Sequence, residues 1–312
     1  MALVLGAALA VLPQVDGMGG SAVPVMQALL PLLCCAAILV VFGFAVFRRW
    51  VAALILLLAT VMAAVPAAVH PPRGQVAAAI PQGQDRHTFA VLSLNVELGQ
   101  ADVEATARKI RESRPVAVAI TEATEGWVGR LMKEPDMKEL LPHRTGTLPR
   151  SGSTGTAIIA AVPLTEESSI WPAGGSRFEQ RVAVLTPPKG KPVRLAAVHT
   201  LPPTSGGAQQ WRTDLRELGQ WQRSHRDLPL VMAGDFNASQ AHPAFREAAE
   251  GLADSASDAG VIPLPTWPSG ATVPAFTQID HLLTAQLETR SWATFEIAGT
   301  DHRGVGAVLA GE

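Results

Sequence analysis

The chain of 312 residues carries 25 Lys and Arg against 27 Asp and Glu, and it is 48% hydrophobic but only 17% charged. A soluble enzyme normally has about a quarter of its residues charged, so the apolar excess must be concentrated somewhere. This balance excludes intrinsic disorder, collagen-like repeats, a disulfide scaffold (there are 2 cysteines) and a strongly basic coat for nucleic acid.

The excess lies at the front. Residues 1–75 hold one acidic side chain, Asp16, and three basic ones, Arg48, Arg49 and Arg73; residues 76–312 are left with 22 basic and 26 acidic, a net of −4. Val25–Phe47 is a run of 23 residues without a charge, and Val51–Val69 a run of 19. At ~1.5 Å per helical residue these reach roughly 34 and 28 Å, enough for a hydrocarbon core of about 30 Å. Arg48-Arg49-Trp50 between them reads as a tight interfacial turn on the cytoplasmic side, which places Val69 outside. Ala2–Val15 is a shorter run and a candidate third span, with the charge-poor loop Asp16–Pro24 then outside. A cleaved signal peptide fits less well, because no basic residue follows Met1. Pro31 is expected to kink the second apolar helix. Residues 70–86, rich in Pro, Gly, Gln and Ala without apolar period, read as a tether, and 87–312 as a soluble domain.

From there strands and helices alternate. Phe89–Val96 is an apolar strand, and Ala101–Ser113 a helix with Val103, Ala107 and Ile110 on one face, stopped by Arg114-Pro115. Val116–Thr121, Thr154–Ala161, Arg181–Thr186, Val193–His199 and Leu228–Ala233 are predicted strands. Gln209–Arg223 is a helix with Trp211, Leu215, Leu218 and Trp221 along one side. Ile279–Thr284, Ser291–Ile297 and Gly304–Leu309 close the domain. Two groups of short strands with helices between predict a two-sheet α/β sandwich; the spacing is too irregular for a (β/α)8 barrel.

Polar residues gather where these strands end: Asn95 and Glu97, Glu122, His199, Asp235 and Asn237, Asp280 and His281, Asp301 and His302. Strand ends line one rim of a layered sheet, so these groups can converge on one cleft. Carboxylates, amides and imidazoles without cysteine suit Mg²⁺, Mn²⁺ or Ca²⁺ better than Zn²⁺. Neither a G-x-S-x-G elbow nor a phosphate-binding P-loop is present. Taken singly, each residue has a plainer reading: Asn95 and Asp235 as turn formers, Glu122 as a helix cap, His199 as a satisfied strand-end histidine. His281 alternates with Asp280 along a strand, so it belongs to the structure and not to the chemistry.

In chain order the sequence shows Asn95-Val96-Glu97, Thr121-Glu122, Gly155-Thr156-Ala157, Val198-His199-Thr200 with Pro202, Gly234-Asp235-Phe236-Asn237-Ala238, Ile279-Asp280-His281 and Thr300-Asp301-His302-Arg303. Together, over roughly residues 87–310, they resemble the endonuclease/exonuclease/phosphatase superfamily, metal-dependent phosphodiesterases of deoxyribonuclease-I-like fold, and its membrane-anchored bacterial subgroup in particular. The resemblance implies a sandwich of that type and a Mg²⁺ site at Glu122, with Asn95 beside it and Glu97 and Asp301 as further ligands. It implies that Asp235 orients or deprotonates water and that Asn237, with Asn95, contacts phosphate. His302 would stand at the scissile phosphate, and His199 would act as acid or phosphate contact. Asp280 would fix an imidazole tautomer, and Arg181 would add a cation for substrate. The absence of tyrosine and the presence of Gln278 before Ile279-Asp280 argue against base-damage repair. The expected partners are a phosphodiester (nucleic acid, or a phospholipid or inositol phosphate) and the bilayer, with no protein partner. The reading is a multi-pass cell-membrane phosphoesterase with an extracytoplasmic catalytic domain, a surface nuclease first and a lipid phosphodiesterase second. A non-catalytic binding domain on the same fold is the third reading.

Overall fold

The computed structural model describes residues 2–65, 75–76, 88–171, 178–188, 190–259, 264–270 and 272–311. Two sheets stack face to face, each with helices on its outer side. The first sheet is built from β1 (Gln75–Val76), β2 (Thr88–Asn95), β3 (Ala117–Thr121), β4 (His143–Arg144), β5 (Thr156–Ala160), β12 (Glu288–Glu296) and β13 (Arg303–Ala310). They lie in the order β1-β12-β13-β2-β3-β5-β4. The second holds β6 (Leu164–Glu167), β7 (Arg181–Leu185), β8 (Val193–His199), β9 (Leu230–Asp235), β10 (Ala253–Asp254) and β11 (Asp280–Ala285), in the order β10-β11-β9-β8-β7-β6.

Side-chain alternation explains the layers. Phe89 and Val91 of β2, Ala117 and Ala119 of β3, and Leu195, Val231, Ala233 and Leu282 of the second sheet meet in the core between the sheets. The opposite faces of the same strands are apolar too. Leu92, Leu94 and Ile120 pack on Ile110 of α5 (Val103–Ser113) and Trp127 of α6 (Glu125–Leu131). Val198, Met232 and Leu283 pack on Trp211 and Leu215 of α8 (Ala208–Ser224) and Phe245 of α9 (Pro243–Ala248). Strands buried on both faces read as near-continuous apolar runs, which is how they appear in the sequence. Local chemistry sets the ends of α5. The Asp102 carboxylate accepts from Ala105 N at 2.7 Å, and Arg114 stops the helix in the left-handed region, its φ of 42° leading into Pro115.

The N-terminal apolar runs form α1 (Ala2–Val11), α2 (Ala22–Ala28), α3 (Leu30–Val46) and α4 (Trp50–Ala64). The expected 23-residue span is not one straight helix: α2 and α3 meet at a bend of 67°. Pro31, in the first turn of α3, lacks the N–H that would bond Gln27, and its ring disfavours a continuous helix there. No single described helix is long and apolar enough to cross a membrane, although the bent pair satisfies length and composition together. The turn at Arg48-Arg49 is as tight as expected, and α3 and α4 pack side by side. Within the expected tether 70–86, Gln75 and Val76 pair in parallel with Ser291 and Trp292. The rest of the tether, the end of the 51–69 run, His87 and His70 lie outside the described residues.

The segment between α1 and α2 rests on the catalytic domain. Asp16 pairs with Arg212 at 2.6 Å, and Arg246 donates to Pro13 O at 2.7 Å. The buried His242 meets Pro24 O through Nε2 at 2.9 Å.

Candidate active site

Pairing register builds the site. In the second sheet β8 and β9 are parallel with His199 opposite Asp235, and β11 runs antiparallel with Asp280 opposite Asp235, so three polar residues form one row across the sheet. In the first sheet β2 and β3 are parallel with Asn95 opposite Thr121, and Glu122 follows at once. These row residues continue the inward-facing positions of their strands. The layer between the sheets is apolar along its length and turns polar at this end. His281, one position out of phase with Asp280, points the other way. It bonds Asp254 at 2.9 Å and stacks near Phe245, in the structural role its parity implies. Gly234 is needed beside Asp235 because a Cβ there would lie 1.9 Å from Val198 O.

The side chains meet. Asn95 Nδ2 donates to Glu122 Oε1 at 3.2 Å and to Asp235 Oδ2 at 3.1 Å, tying the two sheets together. His302, immediately before β13, bonds Asp280 Oδ2 through Nδ1 at 2.9 Å and points Nε2 at Asp235 Oδ2, 3.7 Å away. His199 Nε2 lies 3.7 Å from the same Asp235 oxygen and 3.9 Å from Glu122 Oε1. The His199 ring stacks on Phe178 with centroids 4.3 Å apart, and its backbone N–H donates to the buried Gln180 Oε1 at 2.7 Å.

The electrostatics follow from these contacts. Burial raises the carboxyls of Glu122 and Asp235, the latter to about 7. Burial opposes charge on His302, but the carboxylates of Asp280 and Asp235 outweigh it and hold the imidazole up to about 10. His199 faces burial with less compensation and a neighbouring His302 charge; it is pushed down to about 3 and is neutral at physiological pH. Burial thus favours the neutral form of His199, which suits the phosphate contact named beside the acid role, while the neighbouring His302 holds its proton.

The structure places four other expected site residues as follows. Arg181 is not brought to the cluster, because Glu166 at 2.6 Å and Glu179 at 2.9 Å hold its guanidinium. Glu97 accepts from Asp301 N at 2.8 Å, so its carboxylate clamps the loop before His302. Asp301 reaches the rim, with Oδ1 3.7 Å from His302 Nε2 and Oδ2 accepting from Trp267 Nε1 at 3.0 Å. Asn237 donates through its amide to Thr200 O at 2.9 Å, and its backbone N–H donates to Asp235 Oδ1 at 2.7 Å, so it orients Asp235. Sequence reasoning missed Phe178 and Gln180, whereas Thr266-Trp267-Pro268 resembles a family loop near the active-site rim. The Thr266 hydroxyl accepts from the N–H groups of Ile279 and Asp280 and so sets the start of β11.

The donor set fits a hard divalent cation. Glu122, Asp235 and Asp280 bring three carboxylates around one imidazolium, and the surplus negative charge is oxygen-based. Asp235, Asp280 and His302 also offer ligand atoms within 4.8 Å of one another, a group that could hold a metal ion.

The endonuclease/exonuclease/phosphatase family model matches residues 92–302, a stretch that contains every member of this cluster. The chain belongs to this family. As a family member it is a phosphoesterase by fold and class of chemistry. Among solved structures it is similar to a functionally unknown conserved protein from Enterococcus faecalis V583. That match is at 15% identity and TM-score 0.57, over 72% of this chain and 100% of that one. It is also similar to the endonuclease/exonuclease/phosphatase from Bacteroides vulgatus, at 15% identity and TM-score 0.57, over 72% and 99%. D. rerio TDP2 complexed with a single-strand DNA product is similar at 16% identity and TM-score 0.53, over 71% and 98%. These likenesses show the fold, a deoxyribonuclease-I-like sandwich. A search of curated proteins gave no sequence match.

Proposed function

We propose that this family member is a membrane-anchored, divalent-metal-dependent phosphodiesterase with its catalytic domain outside the cytoplasm. The observation that carries the chemistry is Asp235 within 3.7 Å of a charged His302, in one cluster that also holds Asn95 and Glu122. Glu122, oriented by Asn95 and by Leu98 N at 3.0 Å, is the residue to hold Mg²⁺. The alternative group of Asp235, Asp280 and His302 is less suited, since Nδ1 of His302 is already engaged by Asp280. When bound, Mg²⁺ or Mn²⁺ would polarise a non-bridging phosphate oxygen and offset its charge.

The residues then divide the proton transfers. Asp235, its oxygens directed by Asn95 and Asn237, takes a proton from water as the water oxygen bonds to phosphorus. The bond from phosphorus to the leaving oxygen breaks, and His302 Nε2 supplies the proton that oxygen needs. Asp280 keeps Nδ1 occupied, so the proton given comes from Nε2. His199, neutral and packed on Phe178, supports Asp235 and can hydrogen-bond a phosphate oxygen.

Three features support anchoring. α3 and α4 present large apolar side chains outward, Phe42 at 69% and Val51 at 75% exposure among them, a belt that water does not favour. The pair Arg48-Arg49 closes their far turn. The 16–24 loop touches the catalytic domain, as it must if both lie on one side of the bilayer. The net of −4 over residues 76–312 removes the bulk attraction to nucleic acid. This favours a small or lipid phosphodiester over the nuclease reading, for which the DNA-bound TDP2 neighbour is the specific support.

The test uses the purified full chain in micelles with Mg²⁺, on bis(p-nitrophenyl) phosphate, DNA, RNA and phospholipid. EDTA should abolish turnover, and Glu122→Ala should lower it at least ~100-fold; an unchanged rate in Glu122→Ala contradicts the metal assignment. A reporter fused after Glu312 should read as extracytoplasmic, and a cytoplasmic signal overturns the orientation.

A further inference from the structure

Arg48 and Arg49, in the turn between α3 and α4, are the only basic residues in residues 1–65, and the catalytic reading does not use them. They close α3 in a Schellman arrangement: Arg49 N donates to Phe44 O at 2.8 Å and Arg48 N to Ala45 O at 3.0 Å. Arg48 takes a φ of 54°, the left-handed position that glycine usually fills at a helix end. A long cation held there against its backbone preference points to a use for the cation. Both side chains line an open cleft of about 610 Å³. Its other walls, among the described residues, are apolar, with Leu3 of α1, Phe44 of α3, and Val51 and Ile55 of α4. α1 lies along α4 and comes closest at Gly6, where a Cβ would stand 3.2 Å from Ala59 Cβ. Leu30 and Ala64, at the opposite ends of α3 and α4, share a cavity wall with loops of the catalytic domain. The arginines lie 17 residues along α3 from there, about 25 Å away.

The lining selects the occupant. Neither guanidinium has an ion pair or hydrogen bond among the described residues. No acidic residue is at hand, because Asp16, alone of its kind in residues 1–65, is paired with Arg212 against the catalytic domain. α4 begins in the cleft with no side chain capping its first turn, which leaves its first N–H groups to an anion as well. Large apolar side chains stand exposed around the pair, Leu3 at 68% and Phe47 at 78%, so the same surface calls for hydrocarbon. An anion joined to alkyl chains meets both demands; a soluble anion leaves the apolar walls bare.

We infer that this cleft binds an anionic glycerophospholipid of the leaflet opposite the catalytic domain. Its phosphate sits between Arg48 and Arg49, whose planar guanidinium groups match phosphate oxygens in bidentate fashion. Its acyl chains run along the apolar walls at Leu3, Phe44 and Ile55. The lipid touches α1, α3 and α4 together, and so fastens α1 to the hairpin. This inference rests on the anchoring reading and adds to it a lipid class and a leaflet; the lipid is a resident ligand and takes no part in the reaction.

The experiment reconstitutes the full chain in vesicles of phosphatidylcholine with a minor share of phosphatidylglycerol, beside the double variants Arg48→Gln/Arg49→Gln and Arg48→Lys/Arg49→Lys. Lipids kept through gentle detergent extraction are counted by native mass spectrometry. A phosphatidylglycerol with a headgroup diazirine is photolysed on the same samples and its adducts are mapped. The preference for phosphatidylglycerol over phosphatidylcholine should fall about 30-fold in the glutamine pair, about fivefold per lost cation. It should survive within about threefold in the lysine pair, which keeps both charges. Adducts should gather on residues 2–3 and 44–55 and be lost from them in the glutamine pair. Retention of both lipids in the ratio supplied, a preference that the glutamine pair leaves unmoved, or adducts spread along the length of α3 and α4 overturns the inference. Loss of the preference on adding free glycerol phosphate does the same, since the site is then one for a soluble anion. A chain that fails to float with the vesicles refutes the anchoring reading itself, whereas one that floats without lipid preference refutes this inference alone.

Discussion

His302 and His199 approach the same oxygen of Asp235 from opposite sheets, each at 3.7 Å, yet they end in opposite protonation states. Both are buried. His302 stands at the start of β13 against Asp280, whose carboxylate bonds its Nδ1; His199 stands at the end of β8 against the face of Phe178. Distance to Asp235 is equal, so the second neighbour decides. The carboxylates of Asp280 and Asp235 keep the His302 imidazolium up to about 10 against burial, whereas burial and then the charge of His302 drive the His199 imidazole down to about 3. In the proposed mechanism one strand end thus supplies an acid and the other a neutral hydrogen-bonding partner.

Substitutions can break this comparison. His302→Ala should cost the most, on the order of 10³-fold in kcat, since it removes the proton donor and the counter-charge to Asp235 together. Asp280→Asn should cost about 10²-fold. It also lowers the His302 pKa, so activity, which needs the protonated form, should fall away at lower pH than in the unsubstituted chain. A pH–rate profile measures both, and an unmoved basic limb would refute the pairing. His199→Ala should cost only about tenfold, with the pH profile retained; equal losses in the two histidine variants would erase the distinction.

Much of the sandwich was legible because its strands are buried on both faces and stand out as apolar runs. Val193–His199 agrees with the structure at both ends. The elements not anticipated are short or polar. The edge strand Leu164–Glu167 carries threonine and two glutamates, and α6 contains two glycines, so neither shows the expected period. Among site residues, Asn95, Glu122, Asp235, Asp280 and His302 were visible through their places at strand ends. The failure at Arg181 has a physical cause: a half-buried arginine between Glu166 of the paired strand β6 and the nearby Glu179 is captured locally, and a strand-end rule does not see such partners. Phe178 and Gln180 have no motif; they follow only from what lies over His199 once the sheets are paired.

A third buried histidine gives the smallest effect. Burial lowers His242 to about 4, below the ordinary 6.5, against the Pro24 carbonyl of the N-terminal segment. Its folded form resists protonation while the unfolded chain accepts it, so its stabilising effect is full above pH 6.5 and is lost as pH falls toward 4. The loss is at most about 3 kcal/mol. Melting of the full chain between those pH values should show a shallower acid slope in His242→Asn; an identical slope would mean the residue is hydrated.

The most direct measurement concerns Asp235, where the two sheets and both histidines meet. Asp235→Asn keeps the shape and removes a carboxylate that burial holds up to about 7. With Mg²⁺ and bis(p-nitrophenyl) phosphate, kcat/KM should drop at least ~10²-fold while the melting temperature stays level or rises. Full activity in Asp235→Asn would contradict the account.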